Sequence, residues 1–366
     1  MKYILLSGYY GYNNIGDEAV LGGILAGLRA ELPEVEPVVL SGDPAFTTEL
    51  HGVSAIPRMH FRLIRERLHG ASLFISGGGS LLQDVTSLRS PFYYLGLLWL
   101  AQREGVPTMM LAQGVGPLKH FLARAWTRRV LNRAKAITVR DEGSANLLAS
   151  LGVSVPAEVT ADPSFLLETD PSERLQEWWT ANIPDSRPVI GVALRQWSSP
   201  DAYDRYHAIS DALAEMAKGS GALLLFIPMQ AGQDQHVSEQ MAGWTPAESR
   251  VLNLSLAPRE MLALVGKCDF ILAMRLHTLI FAVHRTVPAF GLAYDPKVAD
   301  FCVSANLPTP MPWDEITTAG LVDTLQTEWA VREALRPILQ ESAARLTAKA
   351  RRNITRVGEL LDGTQI

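Results

Sequence analysis

Cysteine is nearly absent from this chain: Cys268 and Cys302 are the only two among 366 residues. They share no CxxC spacing and lie among apolar neighbours. That excludes a disulfide framework and points to a reducing, cytoplasmic compartment. There is no HxxxH, no DxD at a strand end and no His/Cys cluster, so no metal is expected. A GxGxxG fingerprint, a GK[ST] phosphate loop and a GxSxG nucleophile elbow are all missing. The dinucleotide, nucleotide-triphosphatase and serine-hydrolase readings therefore lose their signatures. The apolar stretch 222–229 falls far short of the ~18 residues that span a bilayer. The opening MKYILLSGYYG has too short an apolar run for a signal peptide and reads as a first β-strand. Positive charge is not in excess either: 33 Lys and Arg face 38 Asp and Glu, a net charge of −5. General nucleic-acid binding is not expected, and any anion site must come from local clustering of cations.

What is present is alternation. Short apolar strands at 3–7, 37–40, 73–76, 108–112, 136–139 and 158–161 are separated by helix-length amphipathic segments. A second series follows at 189–193, 222–227, 251–254, 270–273 and 288–292. This is the pattern of parallel α/β sheets. Length predicts about two domains. The polar stretch ETDPSERLQEWWTANIPDSR divides two similar halves. The expected organisation is a first domain over 1–170, a linker region over 171–187, a second domain over 188–315 and C-terminal helices over 316–366. SLFISGGGSLLQD in the first half echoes DFILAMRLHTLIF in the second, as strand, tight turn and helix, which predicts two Rossmann-like domains.

The most informative stretch is CDFILAMRLHTLIFAVHRTVPAFGLAYDPKV, residues 268–298. Arg275 and His277 follow the exit of one apolar strand, and Lys297 lies just past the exit of the next. In open α/β sheets ligands bind outside the carboxyl ends of strands. A guanidinium, an imidazole and an ammonium there suit a small, multiply anionic substrate. A neutral His277 in that place can transfer protons near neutral pH. His284, at the end of the same helix, reads as structural. Arg195, in LRQW at another strand exit, reads as an anion contact beside a pocket wall formed by Trp197. Arg140, in TVRDEGS, either contacts an anion or pairs with Asp141 or Glu142.

Two glycine-bearing loops precede helices in the first half. GYYGYNNIGDEAV contains Asn14, Gly16 and Asp17, and is either a ligand loop or a tight turn in which Asp17 caps the helix. SGGGSLLQD contains Gly78 and Gly79, whose bare backbone suits close approach of a ligand or of packed structure. Gln83 and Asp84 behind them either bond sugar hydroxyls or form a solvated first helical turn. QGVGP reads as a structural turn. The basic run HFRLIRERLHG is either a solvated helix face or a surface for anionic lipid.

Together NNIGDEAVLGGIL, ISGGGSLLQDVTSLRSPFYY, AQGVGPL, TVRDEGS, LRQW, MRLHTLIFA and YDPKV resemble the bacterial polysaccharide pyruvyl transferases, and most closely the CsaB type. The resemblance covers nearly the whole chain in one order. It departs from the family pattern at Met274, where a small polar residue usually precedes the arginine. The resemblance implies a GT-B-like pair of Rossmann-like domains with a central cleft, the first on the acceptor side and the second on the donor side. It implies phosphoenolpyruvate as donor, no further cofactor, and a lipid-linked disaccharide containing N-acetylmannosamine as acceptor. The enzyme would work in the cytoplasm, with peripheral contact at the inner face of the membrane. Its product would be a 4,6-linked pyruvate ketal on a secondary cell-wall polymer that anchors surface-layer proteins. By family pattern His277, Arg275 and Lys297 occupy the catalytic donor site, and Arg140 and Arg195 match recurrent donor-binding arginines. Asn14, Gly16, Asp17, Gly78, Gly79, Gln83 and Asp84 fall on the acceptor side. The alternative within the same architecture is a nucleotide-sugar glycosyltransferase or epimerase.

Overall fold

The computed structural model describes residues 2–84, 88–184, 187–230 and 232–363. The chain divides into two compact units. Unit 1 comprises Met1–Glu168 with Leu346–Ile366, and unit 2 comprises Thr169–Arg345.

Unit 1 holds strands β1 (Lys2–Ser7), β2 (Val35–Ser41), β3 (Ser54–Pro57), β4 (Leu73–Gly77), β5 (Thr108–Gln113), β6 (Ala136–Val139) and β7 (Ala157–Val159). They form one sheet in the order β3-β2-β1-β4-β5-β6-β7, every neighbouring pair parallel. Its helices are α1 (Ile15–Glu31), α2 (Pro44–His51), α3 (Phe61–Leu68), α4 (Arg89–Arg103), α5 (Phe121–Leu131) and α6 (Glu142–Ser150). Strand β4 is buried throughout, as expected of a parallel strand covered on both faces. The apolar residues sort into two cores. Ile64, Leu95, Leu98 and Val130 pack with Leu5 and Phe74 in one. Val20, Ile24 and Leu28 pack with Ile4, Leu6 and Ile75 in the other.

Unit 2 repeats the plan. Helix α7 (Glu173–Asn182) precedes β8 (Val189–Ala193), α8 (Ala202–Ser220), β9 (Leu223–Phe226), α9 (Gln233–Trp244), β10 (Ser249–Val251) and α10 (Pro258–Val265). Then come β11 (Phe270–Ala273), α11 (Leu276–His284), β12 (Ala289–Ala293), α12 (Pro296–Ala305), β13 (Met311–Pro312) and α13 (Thr318–Leu361). The sheet order is β10-β9-β8-β11-β12-β13, again parallel. In both units the strand order reverses beside the first strand, between β1 and β4 and between β8 and β11. Crevices at such reversals, outside the strands' carboxyl ends, are where open α/β sheets take ligands.

The division differs in two places from the one the sequence suggests. The polar stretch expected to link the halves contains α7, which belongs to unit 2; its residues 185 and 186 lie outside the described set. Ser172 caps α7, Leu175 is fully buried and Arg174 pairs with Glu260. The polar composition hides this helix because few of its residues face the interior. At the other end, residues 316–366 do not form a separate helical appendage. Helix α13 spans the division, with Leu321 and Leu325 in the core of unit 2 and Ile354 and Val357 in a core of unit 1. Buried Asn353 fixes that last turn. Its Oδ1 accepts from Thr138 at 2.7 Å and Thr160 at 2.9 Å, and its Nδ2 donates to the Ala161 carbonyl at 3.1 Å.

Candidate active site

The carboxyl edge of the unit 2 sheet gathers the charged residues. Ala193 of β8 is in register with Ala273 of β11, which is in register with Gly291 of β12. Arg195, Arg275 and Tyr294 therefore leave three adjacent strands at nearly one level. Arg195 Nη1 donates to the Tyr294 hydroxyl at 3.1 Å, and its guanidinium carbon stands 4.8 Å from the Tyr294 ring centroid. Lys297 Nζ stands 5.5 Å from the same centroid and 3.3 Å from Asp295 Oδ2. Trp197 tilts against Tyr294 at 5.0 Å and lies 5.6 Å from the Arg195 guanidinium. The Tyr206 hydroxyl fixes this turn, donating to the Arg195 carbonyl at 2.6 Å and accepting from the Trp197 amide at 2.8 Å. Burial alone would raise the Tyr294 phenol, but Lys297, Arg195 and Arg275 together outweigh it and hold its pKa below the usual value. Arg195 Nε is buried and has no hydrogen-bond partner among the described residues. A buried charged donor left so is costly, and an anion would satisfy it.

Arg275 caps the start of α11, and its side chain turns to a carboxylate. Its Nε donates to Asp234 Oδ2 at 2.8 Å, its Nη2 donates to Asp234 Oδ1, and Nη2 also reaches Gln230 Oε1 at 3.3 Å. Asp234 is fully buried and accepts further from the amides of Met229 at 3.2 Å and Gln230 at 3.0 Å. Arg275 is thus a held charge, one guanidinium edge neutralised, not a freely swinging arm. His277 is half-buried in the first turn of α11, two residues beyond it. Lys297 is in the first turn of α12, which Asp295 caps through the Lys297 amide at 3.1 Å. Met274 is fully buried in the core of unit 2, which accommodates the one apolar departure in this motif.

Arg140 follows the end of β6. It lies in unit 1, where it donates to Ser80 Oγ at 2.8 Å, approaches Asp162 at 3.3 Å and Asp141 at 3.7 Å, and is 7% exposed. Of the two sequence readings, pairing with Asp141 is seen, joined by a stronger partner in Asp162. Its charge is matched locally.

The acceptor-side candidates sit at the reversal between β1 and β4. Asn14, not Asp17, caps α1, its Oδ1 accepting from the Gly16 amide at 3.1 Å. Gly78 has φ +61°, and a Cβ there would stand 1.9 Å from Val20 Cγ1, so packing against α1 already demands this glycine. A Cβ on Gly79 (φ +72°) would stand 3.1 Å from Asp17 Oδ1, which places that carboxylate over the bare backbone. Gln83 is half-buried beside Leu82, which bridges to Val115. Asp84 is committed elsewhere: its carboxylate accepts from the amides of Lys119 at 2.8 and 2.9 Å and His120 at 2.7 Å. It therefore organises the turn before α5 and does not form part of a solvated helical turn.

Comparison with known proteins decides the family. The model of the polysaccharide pyruvyl transferases matches residues 14–296. The chain belongs to that family. It is an enzyme, a pyruvyl transferase of polysaccharide synthesis. The amylovoran biosynthesis protein AmsJ of Erwinia amylovora is 21% identical over 367 residues, covering 83% of this chain and 86% of that protein. Among solved structures, MnaA of S. aureus with UDP superposes with a TM-score of 0.67 at 12% identity, covering 99% of this chain and 97% of that one. A glycosyltransferase from Rickettsia africae gives 0.66 at 13% identity, covering 99% of each chain. The Neisseria meningitidis UDP-GlcNAc 2-epimerase gives 0.63 at 12%, covering both chains fully. At these identities the likeness establishes the fold, a GT-B-type pair of parallel α/β domains.

Two residues of this cluster escaped the sequence reading. Tyr294 stands one residue past β12 inside the quoted YDPKV motif. Asp234 lies at the start of α9, well past the end of β9 at Phe226, beyond the reach of the strand-exit rule that found Arg195.

Proposed function

We propose that this enzyme takes pyruvate from phosphoenolpyruvate and builds a 4,6-ketal on an N-acetylmannosamine-type sugar of a lipid-linked cell-wall precursor. The observation that carries the reading is the convergence of Arg195 and Lys297 on Tyr294, with Arg195 Nε buried and unpartnered among the described residues. Phosphoenolpyruvate is small and carries a carboxylate and a phosphate, and cationic donors with fixed geometry are what hold such a ligand. Arg195 and Lys297 are assigned its anionic groups, assisted by the N-terminal turns of α11 and α12. Arg275, locked by Asp234, contributes field without moving. Arg140 is assigned to positioning Ser80 in unit 1, and the loops bearing Asn14, Gly16, Asp17, Gly78, Gly79, Gln83 and Asp84 to the acceptor.

A proton adds to the methylene carbon of the donor, and an acceptor hydroxyl attacks the neighbouring carbon. The bond from that carbon to the phosphate oxygen breaks, and the second hydroxyl closes the ketal. Of the two hydroxyl protons, one replaces the proton spent on the methylene and one leaves with phosphate. The step is redox-neutral and balances without a further cofactor. His277, half-buried beside these groups, is assigned the proton transfer, a role worth about 10²–10⁴-fold in rate.

The CsaB-type product, a ketal on a secondary cell-wall polymer that holds surface-layer proteins, rests on the motif resemblance. Action at the inner membrane face has support in unit 1. The first turns of α3, α4 and α5 expose Phe61, Phe92, Phe121 and Leu122, with Met59 just before α3, and Arg62 and Lys119 lie among them. Apolar side chains ringed by bases suit an anionic lipid surface. Among the described residues no helix is long and apolar enough to cross a membrane. Co-sedimentation with phosphatidylglycerol vesicles should retain the enzyme and Phe121→Asp should release it; equal retention of both removes this support.

The deciding experiment incubates the enzyme with phosphoenolpyruvate and a synthetic lipid-linked N-acetylmannosamine–N-acetylglucosamine disaccharide. A mass gain of pyruvate less water, matched by phosphate release, is expected. Turnover of a UDP-sugar with no phosphoenolpyruvate consumed would overturn the proposal.

A further inference from the structure

The loop after β1 carries a feature that neither the donor site nor the family motifs use. Tyr9 and Tyr12 stack face to face, with ring centroids 4.4 Å apart and planes 13° from parallel. Both are exposed, at 37% and 42%. Exposed tyrosine pairs ordinarily swing freely, but this one is clamped from behind. The Arg58 guanidinium, only 8% exposed, lies 5.5 Å from the Tyr12 ring, 4.3 Å from Tyr93 and 5.3 Å from Tyr94. Arg58 also donates to the Tyr94 hydroxyl at 3.2 Å and to the Gly8 carbonyl at 3.4 Å, and its own carbonyl accepts from Tyr93 at 2.7 Å. Gly42 clears the space beneath Tyr12, since a Cβ there would come within 2.7 Å of the ring. The buried Tyr10 hydroxyl ties the same loop to the Gly77 carbonyl at 2.8 Å, at the end of β4.

The result is a rigid ladder, Tyr9 on Tyr12 on Arg58 on Tyr93, whose outermost rung presents an aromatic face beside the reversal between β1 and β4. The Asp17 carboxylate lies over the bare backbone of Gly79 and is near enough to Tyr9 that, after burial, its charge raises the Tyr9 phenol. An aromatic face with an adjacent carboxylate is how a neutral sugar ring is held: its C–H face packs on the ring and its hydroxyls donate to the carboxylate. The Arg58 guanidinium is buried under the tyrosines, Arg140 nearby is engaged by Asp162, and Asp17 repels phosphate. A nucleotide would meet the wrong charge here.

We propose that the Tyr9 face, backed by Tyr12 and Arg58 and flanked by Asp17, is a saccharide-stacking subsite that seats an uncharged N-acetylhexosamine ring of the acceptor. The inference deepens the acceptor assignment above and rests on it. Tyr9→Ala should raise the acceptor KM by about tenfold, the scale of one apolar ring face lost from a contact, while kcat and the phosphoenolpyruvate KM stay near wild type. Tyr9→Trp should restore the acceptor KM. An acceptor KM in Tyr9→Ala equal to that of wild type overturns the subsite. A second readout separates this failure from failure of the transferase reading. Saturation-transfer NMR with methyl N-acetylmannosaminide and no donor should show ring-proton contact in wild type and its loss in Tyr9→Ala. Equal contact in both, or displacement of the sugar by UDP alone, overturns the subsite whether or not any ketal forms.

Discussion

Replacing Asp234 with asparagine removes the carboxylate that holds Arg275. In the native chain Asp234 is fully buried and accepts from Arg275 Nε and Nη2 and from two backbone amides. Arg275 is itself largely enclosed, its side chain 14% exposed. An asparagine presents one oxygen and a donor NH2 to a set of donors, and the guanidinium loses its counter-charge. Breaking a buried ion pair from one side costs about 3–5 kcal/mol. For a unit of this size each kcal/mol moves the midpoint by ~2–4 °C, so Asp234→Asn should lower the Tm of unit 2 by roughly 6–20 °C. Tryptophan fluorescence is the assay, because six of the eight tryptophans lie in unit 2. Arg275→Met should cost a comparable amount by stranding the carboxylate. The double variant Asp234→Asn/Arg275→Met should cost well below the sum, because with both charges gone neither is left unpaired. Single effects that add within about 0.5 kcal/mol would show that the two groups are not coupled. Arg275 would then be free to act as a mobile donor ligand, and its description as a locked charge would be wrong.

Two further outcomes follow from the site and one from the packing of unit 1. His277→Ala should keep the fold and the affinity for phosphoenolpyruvate but lose about 10²–10⁴-fold in kcat; a variant turning over near the wild-type rate removes His277 from the chemistry. The Tyr294 phenol is held below its usual pKa by three cations, so its O–H donor disappears as pH rises through that lowered value. The alkaline limb of kcat/KM should therefore lie below the range of an ordinary tyrosine, and Tyr294→Phe should abolish it; an identical limb in the variant assigns the titration to another group. Asn353→Leu should destabilise unit 1 by about 1–3 kcal/mol, since Thr138 and Thr160 lose their buried acceptor, and denaturant melts showing no loss would contradict that network.

Much of the fold was legible because parallel strands covered on both faces are continuous apolar runs, as in β4, β8 and β11. Strand β3 carries no apolar run because Ile56 is its one buried residue, β13 is two residues long, and α7 passed for a linker because Leu175 is its one buried residue. The strand-exit rule found Arg195, Arg275, His277 and Lys297, since position along the chain fixes which end of the sheet a residue leaves. It could not assign partners. Arg275 meets Asp234 across 41 residues, and Arg195 meets Tyr294 across 99. Only the sheet order β9-β8-β11-β12 brings those loops to one edge. For the same reason the sequence left Gly78 open between ligand approach and packing, where Val20 presses on it, and could not show that Asp84 accepts from the amides of 119 and 120.

The unit 2 cluster meets its donor in a way that can be measured directly. Calorimetric titration of phosphoenolpyruvate should give one site per chain. Lys297→Ala and Arg195→Ala, each deleting a charge-assisted contact, should weaken that site by roughly 10–100-fold with Tm unchanged. Absence of binding to the wild-type enzyme, or wild-type affinity in both variants, would contradict the assignment of this cluster to the donor.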